Sequence, residues 1–197
     1  LASERPRTSN PTLEAILTDA ENLFPLGDPP NYEPEADRSI AAEARRTARA
    51  TADVLIDRII ENDGRAFLYH PLASYVDRDF EALREMLMHP RSIASLSDGG
   101  AHVGTVCDAS VTTYMMSYWA RDRTRGERIG LEEVVRKQTS ETAALYGLRD
   151  RGVIEAGKKA DLNLVDLEAL HLEAPAEAFD LPLGGRRLLQ RARGYRA

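Results

Sequence analysis

The chain has 197 residues, 43% hydrophobic and 29% charged, a composition that excludes disordered, collagen-like and coiled-coil proteins and fits a soluble globular one. At this length folding removes about 70% of the unfolded chain's surface, enough for one large domain or two small ones. The 26 basic against 32 acidic residues leave a net charge of -6, which opposes attraction to a phosphate backbone and sets nucleic acid aside as a partner. Cys107 is the single cysteine, so no intrachain disulfide forms and a cytoplasmic location is expected. No apolar run reaches the roughly 20 residues of a membrane span, and no membrane partner is expected.

Asn10 is a natural N-cap and Pro11 suits the first helical position, and Leu13, Ile16, Leu17 and Ala20 recur at helical spacing, predicting a helix that ends near Leu23. Pro25, Gly27, Pro29, Pro30 and Pro34 predict an irregular loop over residues 24–37. Ser39 opens an Ala- and Arg-rich helix. Thr51 caps a second one whose Val54, Leu55, Ile59 and Ile60 form an apolar face and which stops at Asn62-Asp63-Gly64.

The run Ala66-Phe67-Leu68-Tyr69 reads as a buried strand, residues 78–88 as a helix stopped by Pro90, and Ser92-Ile93-Ala94-Ser95-Leu96 as a second strand. Strand, helix and strand predict a parallel α/β unit, in which functional residues lie where a strand gives way to the following loop. Asp98 occupies that position. Residues 111–123 then form a helix whose Tyr114, Met115, Tyr118 and Trp119 make a core stripe, and Leu131 starts another with Val134 and Val135. Thr139 or Ser140 caps a short helix through Leu145 that Gly147 ends. The character changes at residue 148 to Gly152, Gly157 and an alternating strand over residues 161–166. This divides the chain into residues 1–147 and 148–197. Arg186, Arg187, Arg191, Arg193 and Arg196 read as an exposed, solvated tail.

The chemistry concentrates in Asp98-Gly99-Gly100-Ala101-His102-Val103-Gly104. Adjacent glycines let the backbone approach a ligand, with a carboxylate and an imidazole close by. A carboxylate at a strand end can move the proton of an attacking water, and a neutral imidazole can ligate metal or polarise a carbonyl. The competing reading makes Asp98 a turn cap and His102 a loop histidine. Cys107 and Asp108 can join His102 around a metal, or serve as a buried thiol and a helix cap. His70 can face the same pocket as Asp98 or play a structural part, and His89 and His171 read as surface residues. The chain holds no His-x-His, HExxH, GxSxG, P-loop or GxGxxG motif.

Two segments resemble the metal-dependent amidohydrolases, in particular their N-acyl-D-amino-acid deacylase (D-aminoacylase) branch. One is Ser97-Asp98-Gly99-Gly100-Ala101-His102. The other runs from Gly152 through Gly157-Lys158-Lys159-Ala160-Asp161-Leu162 to Asp166 and is similar to the pattern G-x-[IV]-x-x-G-x-x-A-D-[LF]-x-[VL]-x-D, found where such chains leave the barrel for a small β-sandwich. The resemblance implies an α/β fold, the C-terminal part of a (β/α)8 TIM barrel over residues 1–147 and part of the sandwich over 148–197. It implies that Asp98, at the end of the eighth strand, takes a proton from a zinc-activated water and returns it to the departing amine. Asp98 would ligate a second metal where one is bound, and Gly99, Gly100 and His102 would line the pocket for an N-acyl amino acid. The family's main zinc ligands match nothing here, which implies that this is roughly the last third of a longer polypeptide and inactive alone, with exposed apolar surface through which copies associate. Two other readings stay open: a cyclic-amide hydrolase like the hydantoinases and dihydroorotases, and a non-catalytic α/β binding module.

Overall fold

Leu23, Ile40, Ala44 and Val54 are brought together because each lies on the inward side of its segment, and Ala20, Leu55 and Leu68 pack around them. This cluster is the core of the first of two compact units, residues 1–82 and 83–197. The computed structural model describes residues 11–95, 100, 102–105 and 107–196.

In the first unit, helix α1 (Pro11–Thr18) starts at the proline and is shorter than the periodicity predicts. Residues 24–37 are not wholly irregular. Strand β1 (Phe24–Pro25) pairs antiparallel with β2 (Leu68–Tyr69), with Phe24 opposite Tyr69. Pro25 is tolerated because a two-residue ladder at an edge asks little of its missing N–H. Helix α2 (Ile40–Thr47) follows its cap as expected, the Ser39 hydroxyl accepting from the Ala42 N–H at 3.1 Å. Helix α3 (Thr51–Gly64) is preceded by Ala50 as its cap residue, so Thr51 is the first helical position, and helical backbone is lost at Glu61, Asn62 and Asp63. Only Val54 of its predicted apolar face is buried, while Ile59 and Ile60 are 43% and 61% exposed. Glu33, almost fully buried, accepts from the Phe80 N–H at 2.8 Å.

Helix α4 (Glu81–Met88) crosses the boundary between the units. In the second unit the Ser92 hydroxyl donates to the Met86 carbonyl in the last turn of α4 at 2.6 Å and to the His89 carbonyl just past it at 2.8 Å, so Ser92 fastens the helix end rather than opening a strand. Every ladder among the described residues is antiparallel, and the parallel pair expected from β2, α4 and residues 92–96 is not formed there. Helix α5 (Val111–Tyr114) continues as a π-helix (Met115–Asp122). Trp119 is 1% exposed. The buried Arg123 guanidinium lies 4.7 Å from the centre of its ring and donates to the Glu127 carbonyl at 2.8 Å. Helix α6 (Leu131–Gln138) buries Val134 and Lys137 but leaves Val135 exposed. Helix α7 (Ser140–Leu145) ends as predicted, the Gly147 N–H reaching the Ala144 carbonyl at 3.1 Å.

Residues after 163 form six strands, β3 (Leu164–Val165), β4 (His171–Leu172), β5 (Ala176–Leu181), β6 (Gly185–Leu189), β7 (Ala192–Arg193) and β8 (Tyr195–Arg196). They pair β5 with β6, β4 with β7 and β3 with β8, one long nested hairpin. The arginine-rich end is therefore the returning side of a ribbon and not a loose tail. Each of four arginines there meets a carboxylate: Arg187 meets Asp180 at 2.6 Å, Arg193 meets Glu173 at 2.5 Å, Arg196 meets Asp166 at 3.0 Å, and Arg186 is bound to Glu177. Charge spaced to match the opposite strand, invisible in a one-dimensional reading, turns a basic run into cross-strand pairs. Among the described residues no helix is long and apolar enough to cross a membrane.

Candidate functional site

The segment that carries the predicted chemistry follows α4, and its described residues are 92–95, 100 and 102–105. Asp98 and Gly99 lie outside the described residues. Gly100 has φ +97° with open space where a side chain would stand, so glycine is required there by conformation rather than by crowding. His102 is exposed and itself left-handed, at φ 47°. Its carbonyl closes a tight turn by accepting from the Thr105 N–H at 2.8 Å and the Thr105 hydroxyl at 3.1 Å.

Both flanks of the segment are held by residues distant in sequence. On the incoming side the Lys137 ammonium, 2% exposed, donates to the Ser92 carbonyl at 3.2 Å and lies 3.6 Å from Glu141 and 3.9 Å from Glu133. On the outgoing side the Leu188 N–H donates to the Val103 carbonyl at 2.7 Å, and the Arg186 Nη2 to the Gly104 carbonyl at 2.8 Å. Further along, the Ser110 hydroxyl donates to Gln190 at 2.5 Å, and the Thr113 and Tyr195 hydroxyls share a bond of 2.8 Å. Lys137, Arg186 and Leu188 escape a sequence reading because a helix lysine and a basic strand look solvated until their partners are placed.

Gly152, the first glycine of the 152–166 pattern, stands at φ +90° with its missing Cβ only 2.7 Å from the Cβ of Ala143, so its backbone packs directly on α7. Lys159 and Arg151 both reach Asp150, and their hydrogen bonds hold its carboxyl well below the ordinary carboxylate range. The pattern is thus a connection that fastens itself to the preceding helix before the ribbon begins. The amidohydrolase family model matches residues 32–183. The chain belongs to the amidohydrolase family. No curated protein and no solved structure matches it.

Amidohydrolases are hydrolases of a TIM-barrel superfamily that usually binds metal. The described residues of this amidohydrolase show no barrel and no group of three or more His, Cys, Asp or Glu side chains able to hold a metal ion. They do not supply a metal centre. Cys107 is half-buried, and burial, aided by the neighbouring Asp108, pushes its thiol up and away from the thiolate a ligand would need. His70 donates from or accepts at Nε2 with Asp19 at 3.1 Å, while its buried Nδ1 has no partner among the described residues. Burial works to raise the Asp19 carboxyl, but bonds from Asn22 and His70 outweigh it and leave the group below its ordinary value. His89 and His171 are exposed, as the sequence predicts.

Proposed function

We propose that this amidohydrolase is a zinc-dependent deacylase of N-acyl-D-amino acids, with Asp98 as its acid and base and with Gly99, Gly100 and His102 lining the substrate pocket. The observation that carries the reading is the loop sequence Asp98-Gly99-Gly100-Ala101-His102 inside the stretch matched to the amidohydrolase family. Gly100 supports it: a left-handed glycine with open space above it leaves room for a substrate to approach the backbone. Zinc enters on the resemblance alone. The described residues do not assemble its ligands.

In that chemistry water adds to the amide carbonyl, forming a carbon–oxygen bond, and the carbon–nitrogen bond breaks. Asp98 accepts the proton that water loses and delivers it to the departing amine, so the carboxylate is regenerated with each turnover. The exposed His102 and the open Gly100 backbone offer polar groups to a small carboxylated substrate.

The test is turnover by the full-length protein over a panel of N-acetyl-D-amino acids, N-acetyl-L-amino acids and the cyclic amides hydantoin and dihydroorotate. Wild type is expected to cleave the D-series, and Asp98→Asn to lose about 100- to 10,000-fold in kcat. Undiminished turnover in that variant refutes the role of Asp98. Preferential opening of the cyclic amides refutes the substrate assignment.

A further inference from the structure

The loop after Asp98 is rich in glycine. Gly99, Gly100 and Gly104 fall within six positions, and glycines carry the largest backbone entropy to be lost on ordering. Among the described residues of the loop the internal bonds are those of Thr105 to the His102 carbonyl. Its described residues are also held from outside, by strand β6 at Val103 and Gly104.

We propose that Arg186 is a positioning residue for this loop, holding the Gly104 carbonyl from the ribbon so that the chain from His102 to Thr105, four residues on from Asp98 in sequence, keeps one conformation. This rests on the functional reading above. The arrangement is built in two steps. Strand β6 donates the Leu188 N–H to the Val103 carbonyl at 2.7 Å, which ties the loop to β6 at one point. Arg186, two residues away on the same face of β6, then places one guanidinium nitrogen on the Gly104 carbonyl at 2.8 Å while another is bound by Glu177 of β5. Leu188 stands opposite Glu177 in the ladder, so Glu177 and Arg186 form a diagonal cross-strand pair. The carboxylate aims the guanidinium, and the guanidinium aims the loop. Arg186 and Leu188 both lie beyond residue 183, where the family match ends.

Arg186 and Glu177 are 45% and 41% exposed, so their ion pair adds little to global stability and its loss leaves the fold intact. The effect is local. Two measurements test it. The first is amide hydrogen exchange of residues 100–105 and of Leu188 in this chain: Arg186→Ala is expected to speed exchange there about tenfold while α6 and α7 are unchanged. The second is kinetics of the full-length protein with N-acetyl-D-amino acids: Arg186→Ala lowers kcat about 10- to 100-fold with KM nearly constant, and Arg186→Lys recovers most of it.

The deciding variant is the double exchange Glu177→Arg with Arg186→Glu, which keeps the cross-strand ion pair but leaves nothing at position 186 to donate to Gly104. It is expected to stay as defective as Arg186→Ala. If it restores slow exchange and full kcat, Arg186 only staples the ribbon and the inference is overturned. Unchanged exchange over 100–105 in Arg186→Ala overturns it equally. If wild type cleaves no N-acyl amino acid, the functional reading falls, while the exchange measurement still decides whether Arg186 holds the loop.

Discussion

Replacing Lys137 by methionine removes a buried charge while keeping most of the side chain's volume. In the native chain its ammonium is 2% exposed, donates to the Ser92 carbonyl at 3.2 Å and faces two carboxylates at 3.6 and 3.9 Å. A hydrogen bond from a charged group contributes about 1.5–3 kcal/mol. Removing one partner of a buried ion pair costs about 3–5 kcal/mol when the other is left uncompensated. The loss stays below that figure because Glu133 and Glu141 each keep a contact with Arg136, although the buried Glu141 Oε2 loses its cation. Methionine also recovers some stability by packing its apolar stem. The net loss is expected near 2 kcal/mol, which for a urea slope of about 2 kcal/mol per molar moves the unfolding midpoint down by about 1 M. Trp119 is the chain's single tryptophan, 1% exposed and in the same unit, so its fluorescence reads the transition directly. A change below about 0.5 kcal/mol, the range of an ordinary surface substitution, or a gain in stability refutes the view that Lys137 anchors Ser92.

Ser39→Ala removes the hydroxyl that accepts from Ala42 at the start of α2 and is expected to cost about 1 kcal/mol by thermal or urea unfolding; an unchanged Ser39→Ala contradicts the cap. The ribbon should be acid-labile. Bonds from Arg187 and Arg193 hold the Asp180 and Glu173 carboxyls below their ordinary values. Their stabilisation is therefore complete above the ordinary carboxylate range, near about 4, and is lost as pH falls through the lower folded values. Protection factors of the β5 and β6 amides, with intrinsic exchange rates divided out, should fall between pH 5 and 3, and less so in 0.5 M salt, where the pairs are already screened to about 4 Å. Identical protection factors at both pH values contradict the pairing.

Ser39, Pro11 and Gly147 were legible from the sequence because each acts on the backbone within a few residues of itself. The core stripe was legible in part: Met115 and Trp119 are buried while Tyr114 and Tyr118 are half-buried, and the π-helical winding of residues 115–122 was not, since no local residue announces a wider turn. The ribbon was hidden. Its strands are short, its pairs join residues as far apart as Leu164 and Arg196, and its charges carry meaning only across the ladder. The apolar face of α3 misled in the opposite direction: Ile59 and Ile60 have the right spacing but remain largely exposed. At the candidate site the glycines and His102 stood out by type. The groups that hold them, Lys137, Arg186 and Leu188, did not, because long-range hydrogen bonds leave no periodic trace.

The nesting of the ribbon also dictates the order in which its contacts become affordable to a folding chain. Bringing β3 to β8 directly means closing residues 166–194 as one loop, whereas β5 meets β6 across only Pro182, Leu183 and Gly184. Loop closure costs more entropy as the loop grows, so the inner hairpin forms at the least cost and each ladder outside it inherits a shortened gap. Pairing then advances from the turn toward residues 164 and 196, like a zip closing from its tip. Leu188 and Arg186 belong to the innermost pair. The strand edge that receives the loop at Val103 and Gly104 is thus the first part of the ribbon to exist, ready before the outer ladders have closed.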